Sequence, residues 1–179
     1  MTIASAAPAW LAGLLFLLLG IAAAEDGWRL RVSNLIVAAV AATGIAAIVF
    51  AHIGWDAWQP LLLAVLILGV GTPMFGAGWL GGGDVKLLAA SGLWFSLSGG
   101  WRMLVAVAIA GGVLALLVLA IRLLPWSEPA KNHVIVLRPR GGIPYGIAIA
   151  MGVTALVMIA RAPPPKMSAM PSTSLVVPQ

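Results

Sequence analysis

The residues best suited to chemistry in this sequence are its few carboxylates. The chain has only five Asp and Glu residues, and Glu25, Asp26 and Asp84 lie at the ends of long uncharged stretches. A carboxylate in or beside hydrocarbon is costly, so an acid at such a position suggests a function. Asp26 closes the first uncharged stretch and Asp84 stands just before the fourth. If these stretches are membrane helices, both aspartates lie at the same membrane face and could meet across the bundle.

Two carboxyl groups that share one proton can hydrolyse a peptide bond. The ionised group takes a proton from the attacking water, and the protonated group donates to the carbonyl oxygen. This chemistry needs neither a metal ion nor a covalent intermediate, so the sequence predicts no cofactor.

The other reactive side chains are weaker candidates. The chain has no cysteine, which excludes thiolate metal sites and a cysteine nucleophile. His52 and His133 are expected on opposite sides of the membrane, so they cannot share a metal ion. The serines stand singly, without His and Asp partners on the same side, which argues against a serine protease.

Three glycines, Gly81, Gly82 and Gly83, directly precede Asp84. Because they have no side chains, another backbone, such as that of a peptide substrate, could approach closely. The alternative is a flexible linker that ends with Asp84 as the N-cap of a helix, a position that Asp favours.

The charged residues near these aspartates have simpler interpretations. Glu25 is expected to point about 100° away from Asp26 on a helix and to be a spectator. Lys86 is not on the face of Asp84, and its side chain is expected to extend to the inner interface. Asp56 lies in a predicted outer loop and is interpreted as an ordinary solvated charge.

The elements that must position these residues are membrane helices. The chain is 62% hydrophobic and 8% charged, whereas a soluble domain has about 25% charged residues. A span needs about 20 apolar residues, and the fourth of six uncharged stretches reaches this length only if its helix begins near Asp84. We therefore predict an all-α, polytopic transmembrane helix bundle with about six spans. The stretches are residues 2–24, 32–51, 57–83, 87–101, 103–121 and 141–160.

The two ends of the chain have their own patterns. The first stretch could instead be a cleaved signal peptide, although residues 1–10 contain none of the cations that such a peptide favours. We assign residues 1–160 to one membrane domain and residues 161–179 to a flexible, proline-rich tail. The connection at 123–142 is expected to lie outside the membrane.

The cations predict the orientation of the bundle. Loops on one side hold Arg29, Arg31 and Lys86, together with the four cations of the fifth loop, whereas the other side holds Arg102, Arg161 and Lys166. The positive-inside rule then places the aspartates at the cytoplasmic face and both termini outside. Trp residues near the span ends agree with this map. Because the cations are spread singly, no nucleic-acid partner is predicted.

Three short motifs resemble those of the prepilin and preflagellin peptidases, which are intramembrane aspartyl proteases. Residues 81–87 resemble the family's G-x-G-D-x-K-L signature, which includes Lys86. Residues 26–34 are similar to its first aspartate motif, an Asp followed by basic residues and then Ile-Pro-Asn, here ending in Asn34. Pro144 and Tyr145 belong to a segment similar to the one that opens the family's last span.

The resemblance implies a function, although the chain differs from the family's pattern in two ways. Val32 and Ser33 replace Ile-Pro, which removes a rigid turn but no catalytic atom. The cysteine-bearing region of bifunctional members is absent, so the chain is similar to the short peptidase-only form of Flp-type (tight-adherence) pilus systems, without N-methyltransferase activity. Asp26 and Asp84 would then be the catalytic pair.

The partners follow from the same resemblance. The expected substrate is a prepilin or pseudopilin helix in a bacterial inner membrane, and pilus assembly machinery is a further possible partner. Two alternatives remain open from the residues: a small proton-coupled transporter that uses the aspartates as relay groups, and a noncatalytic pilus or secretion assembly factor of the same fold.

Overall fold

A computed structural model describes residues 3–123 and 143–163 as an all-α membrane helix bundle. This confirms the predicted fold class. The predicted loop with His133 and the predicted tail from residue 164 lie outside the described residues. The described helices are α1 (Ile3–Ala6), α2 (Ala9–Arg29), α3 (Asn34–Phe50), α4 (Trp58–Gly76), α5 (Gly82–Gly92), α6 (Leu97–Leu123) and α7 (Tyr145–Arg161), and a 3-10 turn at Gly54–Ala57 precedes α4.

The described helices differ in their ability to cross a membrane. Three are long and apolar enough to span one: Ala9–Arg29, Gly54–Gly76 (α4 with its 3-10 turn) and Leu97–Leu123. Helices α3 and α7 are apolar and have 17 residues each, slightly fewer than the roughly 20 residues of an upright span.

Helix α5 differs most from the prediction. The expected helix from Asp84 to Trp101 ends after 11 residues at Gly92, a length of about 16 Å. Short-range hydrogen bonds from the N–H groups of residues 93–95 to carbonyls three residues earlier form a tight turn. The turn buries Trp94 and Phe95, and α6 begins at Leu97. The uncharged stretch therefore contains a helix end that its composition does not reveal.

Trp94 also departs from the predicted interfacial positions. Its side chain is completely buried, and its indole N–H donates to the Thr43 hydroxyl of α3 at 3.4 Å. By contrast, Trp28, Trp55 and Trp79 are highly exposed.

Close contact between α4 and α5 sets the position of the Asp84 helix. A Cβ added to Gly71 of α4 would lie 2.5 Å from a methyl group of Val85. Val85 immediately follows Asp84, and α4 packs mainly against α5. The lack of a side chain at residue 71 therefore allows α5 to lie close to α4.

Helix α7 is central, because it packs against both α6 and α2. At its last residue, the Arg161 guanidinium donates to the carbonyl oxygens of Ala4 and Ala7 at 2.9 and 2.8 Å. Its first turn meets the last turn of α2 at the other end of the bundle. We call this end, where α2 ends and α3, α5 and α7 begin, the aspartate end.

Candidate active site

Asp26 lies in the last turn of α2 and is only 3% exposed. Its carbonyl accepts from the N–H of Leu30, which ends the helix in a left-handed conformation. Its carboxylate oxygen Oδ2 accepts from the N–H of Gly146 at 2.6 Å, and the N–H of Ile147 interacts with the same carboxylate. The carboxylate is thus fixed by the first turn of α7, where unpaired N–H groups favour an anion.

Gly146 lies in the motif noted from the sequence, but its contact with Asp26 was not predicted. A Cβ at this residue would lie 2.9 Å from both Cβ and Oδ2 of Asp26. The sequence analysis singled out Pro144 and Tyr145 in the same motif. Pro144 is buried and is the residue before α7, and Tyr145 is the first residue of the helix. The signal was a second glycine in the motif, at a place where helices do not favour glycine.

Asp84 is the third residue of α5, so the alternative interpretation as its N-cap is wrong. The cap is Gly81, with φ −72° and ψ 141°. The Asp84 carboxylate turns back and interacts with the Gly81 N–H, as an acid at the third helical position does in a capping box. The side chain is 9% exposed.

The three glycines accommodate the protein's own atoms. A Cβ on Gly81 would lie 2.6 Å from the Asp84 carboxylate, and one on Gly82 would lie 3.3 Å from the Phe75 ring. A Cβ on Gly83 would lie 3.2 Å from the carbonyl oxygen of Val32. The close approach that the glycines allow is therefore filled by the chain itself. That a substrate backbone also approaches these glycines stays a prediction.

The two aspartates come together at the aspartate end. They are near enough for their charges to interact. Within residues 3–123 and 143–163, neither carboxylate forms an ion pair with a lysine or arginine. Two buried carboxyl groups without a cation are costly unless they share a proton. An arrangement of this kind can provide a general base and a general acid side by side.

Glu25 contacts the loop between α2 and α3, and Lys86 contacts the first residue of α3. The Glu25 carboxylate accepts from the backbone N–H of Ser33 at 3.0 Å, a structural contact that its direction on the helix did not predict. Lys86 donates from Nζ to Oδ1 of Asn34 at 3.1 Å, which brings together two of the motif residues named from the sequence. Residues 30–34 are thus held from both aspartate-bearing helices.

Within the part of the chain that the structure describes, no other feature forms a second candidate site. Among the described residues, no group of three or more His, Asp and Glu side chains could hold a metal ion. Asp56 is exposed and accepts from Gln59 at 3.0 Å. A cavity of about 360 Å³ beside α5 is apolar, with Val85 and Leu88 among its lining residues, and therefore offers no reactive group.

Comparison with known families identifies the class of protein. Residues 13–120 match the model of the type IV leader peptidase family. The chain belongs to this family. No curated protein and no solved structure gave a significant match to the chain.

Membership of the type IV leader peptidase family makes the chain a membrane peptidase. The matched region contains both aspartates, the three glycines, Asn34 and Lys86, and it ends before Pro144 and Tyr145. The resemblance noted from short motifs is therefore confirmed at the level of the family.

Proposed function

We propose that this chain is an intramembrane aspartyl endopeptidase that removes the leader peptide from Flp-type prepilins or pseudopilins. The observation that carries the proposal is the pairing of Asp26 and Asp84, two buried acids from separate helices that interact electrostatically. Family membership supports leader peptidase activity in general. It favours a protease over the proton-coupled transporter that the aspartates alone also suggest.

The proposed reaction uses one water and one shared proton. The ionised aspartate takes a proton from water as the oxygen attacks the scissile carbonyl carbon, and the protonated aspartate donates to the carbonyl oxygen. The tetrahedral gem-diol then collapses: the carbon–nitrogen bond breaks, the aspartate that took the proton from water gives it to the leaving amine, and the other aspartate takes a proton back from one of the two hydroxyl groups. The pair therefore holds one proton again, on the aspartate that held it at the start.

Fixed positions favour this reaction. The Gly146 N–H holds the Asp26 carboxylate through one oxygen, and the Gly81 N–H holds the Asp84 carboxylate. Groups that are already oriented need little rearrangement when charge develops in the transition state.

We assign the aspartate end to the cytoplasmic face of a bacterial inner membrane. The proposal rests on Arg29, Arg31 and Lys86 at this end, against Arg102 and Arg161 at the other. The basic leader of a prepilin would then meet the acidic Asp26 and Asp84, while its apolar helix stays in the lipid beside the bundle. Both chain termini would lie outside.

The test is cleavage by the purified protein in lipid vesicles. A panel of Flp-type and other type IV prepilins is incubated with it, and the products are analysed by mass spectrometry. We expect cleavage at the leader junction of a Flp-type prepilin and an unmodified new N-terminus, even when S-adenosylmethionine is supplied. A methylated terminus would contradict the peptidase-only assignment. Failure to cleave any member of the panel would favour the noncatalytic assembly factor.

A further inference from the structure

The loop between α2 and α3 contacts both helices that carry the aspartates, α2 and α5. It starts with Leu30, whose φ is +51°, an unfavourable value for a residue with a side chain. On the α2 side, the Ser33 N–H donates to Glu25 Oε2 at 3.0 Å in a partly buried position. On the α5 side, the Val32 carbonyl lies against Gly83. A shift of this loop would therefore change the spacing between α2 and α5.

From these contacts we propose that Glu25 is a positioning residue, which holds the Ser33 N–H and thereby fixes the loop that sets the separation of Asp26 and Asp84. The inference rests on the proposed function, because it assigns Glu25 a part in the same reaction. Glu25 acts through the backbone of Ser33 and does not need to touch the substrate. Its function requires a hydrogen-bond acceptor rather than a negative charge.

The backbone of Ser33 makes this role testable. Its φ is −69° and its ψ is 143°, values that proline adopts without strain. Proline at this position would lock φ and would have no N–H that needs an acceptor. It would also place a ring carbon close to the Glu25 carboxylate, which now lies 3.0 Å from the Ser33 nitrogen. Ser33→Pro should therefore stabilise the position of the loop only when Glu25 is replaced by a residue with a shorter side chain.

The activity test is a double-mutant cycle on prepilin cleavage in vesicles. We expect Glu25→Ala to lower kcat by about 10-fold with little change in KM, because the catalytic geometry changes and the binding surface does not. Glu25→Gln keeps an acceptor oxygen and should stay within about 3-fold of the wild type. Adding Ser33→Pro to Glu25→Ala should restore kcat to within about 3-fold of the wild type.

The matched control is Ser33→Ala combined with Glu25→Ala. Alanine removes the Ser33 hydroxyl, which accepts from the Ile36 N–H at 3.4 Å, but it keeps the backbone N–H and the free φ. This double variant should remain as slow as Glu25→Ala alone. Three results would each overturn the inference: normal kcat in Glu25→Ala, equal loss in Glu25→Gln, or no recovery with Ser33→Pro.

A crosslinking experiment measures the position of the loop between α2 and α3 independently of catalysis. A Cβ on Gly83 would lie 3.4 Å from the Val32 Cβ, close to the range of about 3.5–4.5 Å in disulfides. The chain has no other cysteine. With Val32→Cys and Gly83→Cys, mild oxidation should form the crosslink rapidly. Glu25→Ala should slow it, and Ser33→Pro should restore the rate.

The two tests separate the inference from the proposed function. If the wild type cleaves no prepilin but Glu25→Ala slows crosslinking and Ser33→Pro restores it, the proposed function fails and the role of Glu25 in holding the loop stands. If the wild type cleaves prepilin and Glu25→Ala leaves both kcat and the crosslinking rate unchanged, the inference fails and the proposed function stands.

Discussion

The Asp26 carboxylate has both a structural and a proposed catalytic role. It binds the first turn of α7 through Gly146 and interacts with Asp84. A side chain that joins two helices has few accessible rotamers, so its position relative to Asp84 is well defined. Because of the same contact, a substitution in the first turn of α7 can move the Asp26 carboxylate directly.

Gly146→Ala tests this dependence. The new Cβ would lie 2.9 Å from Asp26 Oδ2, so the carboxylate must move. We expect cleavage to fall by about 10²-fold, since catalysis is sensitive to displacements of this size. Gly112→Ala is the control, because a Cβ there meets nothing within 4 Å. Equal activity of the two variants, measured by prepilin cleavage at equal protein level, would show that the position of Asp26 does not depend on Gly146.

At the residue scale, the scarcity of charge indicated which two acids come together, whereas their hydrogen-bond partners could not be predicted. Asp26 and Asp84 could be selected from the sequence because acids are scarce in a membrane chain. The hydrogen-bond partner of Asp26 could not be selected in this way, because Gly146 is 120 positions away and contributes only a backbone N–H. Glu25 was set aside from its direction on the helix, yet its side chain reaches a backbone group beyond the helix end.

Among the elements, α5 has the greatest effect on the site. It is too short to span a bilayer alone, and its position is set by close contact with α4 at Gly71 and Val85. Because Asp84 directly precedes Val85, the packing of α4 against α5 also positions the aspartate.

Gly71→Ala should therefore disturb both stability and activity. The added methyl would lie 2.5 Å from a Val85 methyl group, and a β-branched side chain in a core cannot turn away easily. We expect a loss of about 1–3 kcal/mol, seen as a lower thermal midpoint in detergent, together with slower cleavage.

Gly69→Ala on the same helix is the matched control. A Cβ at this position meets nothing within 4 Å, and alanine is the better helix former by roughly 0.5–1 kcal/mol. Its thermal midpoint should be unchanged or raised. If both variants melt alike, close packing at Gly71 does not determine where α5 lies.

The order of the longer helices was predictable from the sequence, whereas the separate α1 and the end of α5 were not. The uncharged stretches give approximate positions for α2, α3, α4, α6 and α7, because each contains one apolar run between charges. The stretch at 87–101 contains a helix, a buried turn and the start of another helix without any charge between them. The turn depends on the packing of Trp94 and Phe95, which is a property of the tertiary structure.

In the whole molecule, the aspartate end is opposite the turn between α5 and α6. Our proposal places these two ends on different sides of the membrane. Because the chain has no cysteine, single cysteines can report their location. Ala77→Cys, just after α4, should be protected from an impermeant thiol reagent added outside. Ser98→Cys, in the first turn of α6, should react.

Both positions are exposed in the structure, so burial does not explain a difference between them. The measurement is the extent of labelling in intact cells compared with permeabilised cells. Labelling of Ala77→Cys alone in intact cells would mean that the orientation is inverted and that the aspartates face outward.

The central claim is that Asp26 and Asp84 act together as the catalytic pair, and its most direct test is replacement of each by Asn. Asn keeps an oxygen that can accept from Gly146 or Gly81, so the variants should insert and fold normally. We predict that Asp26→Asn and Asp84→Asn each lower prepilin cleavage by about 10³-fold or more, and that the double variant is hardly slower than either single one. Asp56→Asn, at an exposed acid outside the aspartate end, should cleave normally. Normal cleavage by Asp26→Asn or Asp84→Asn, at wild-type protein level, would contradict the account.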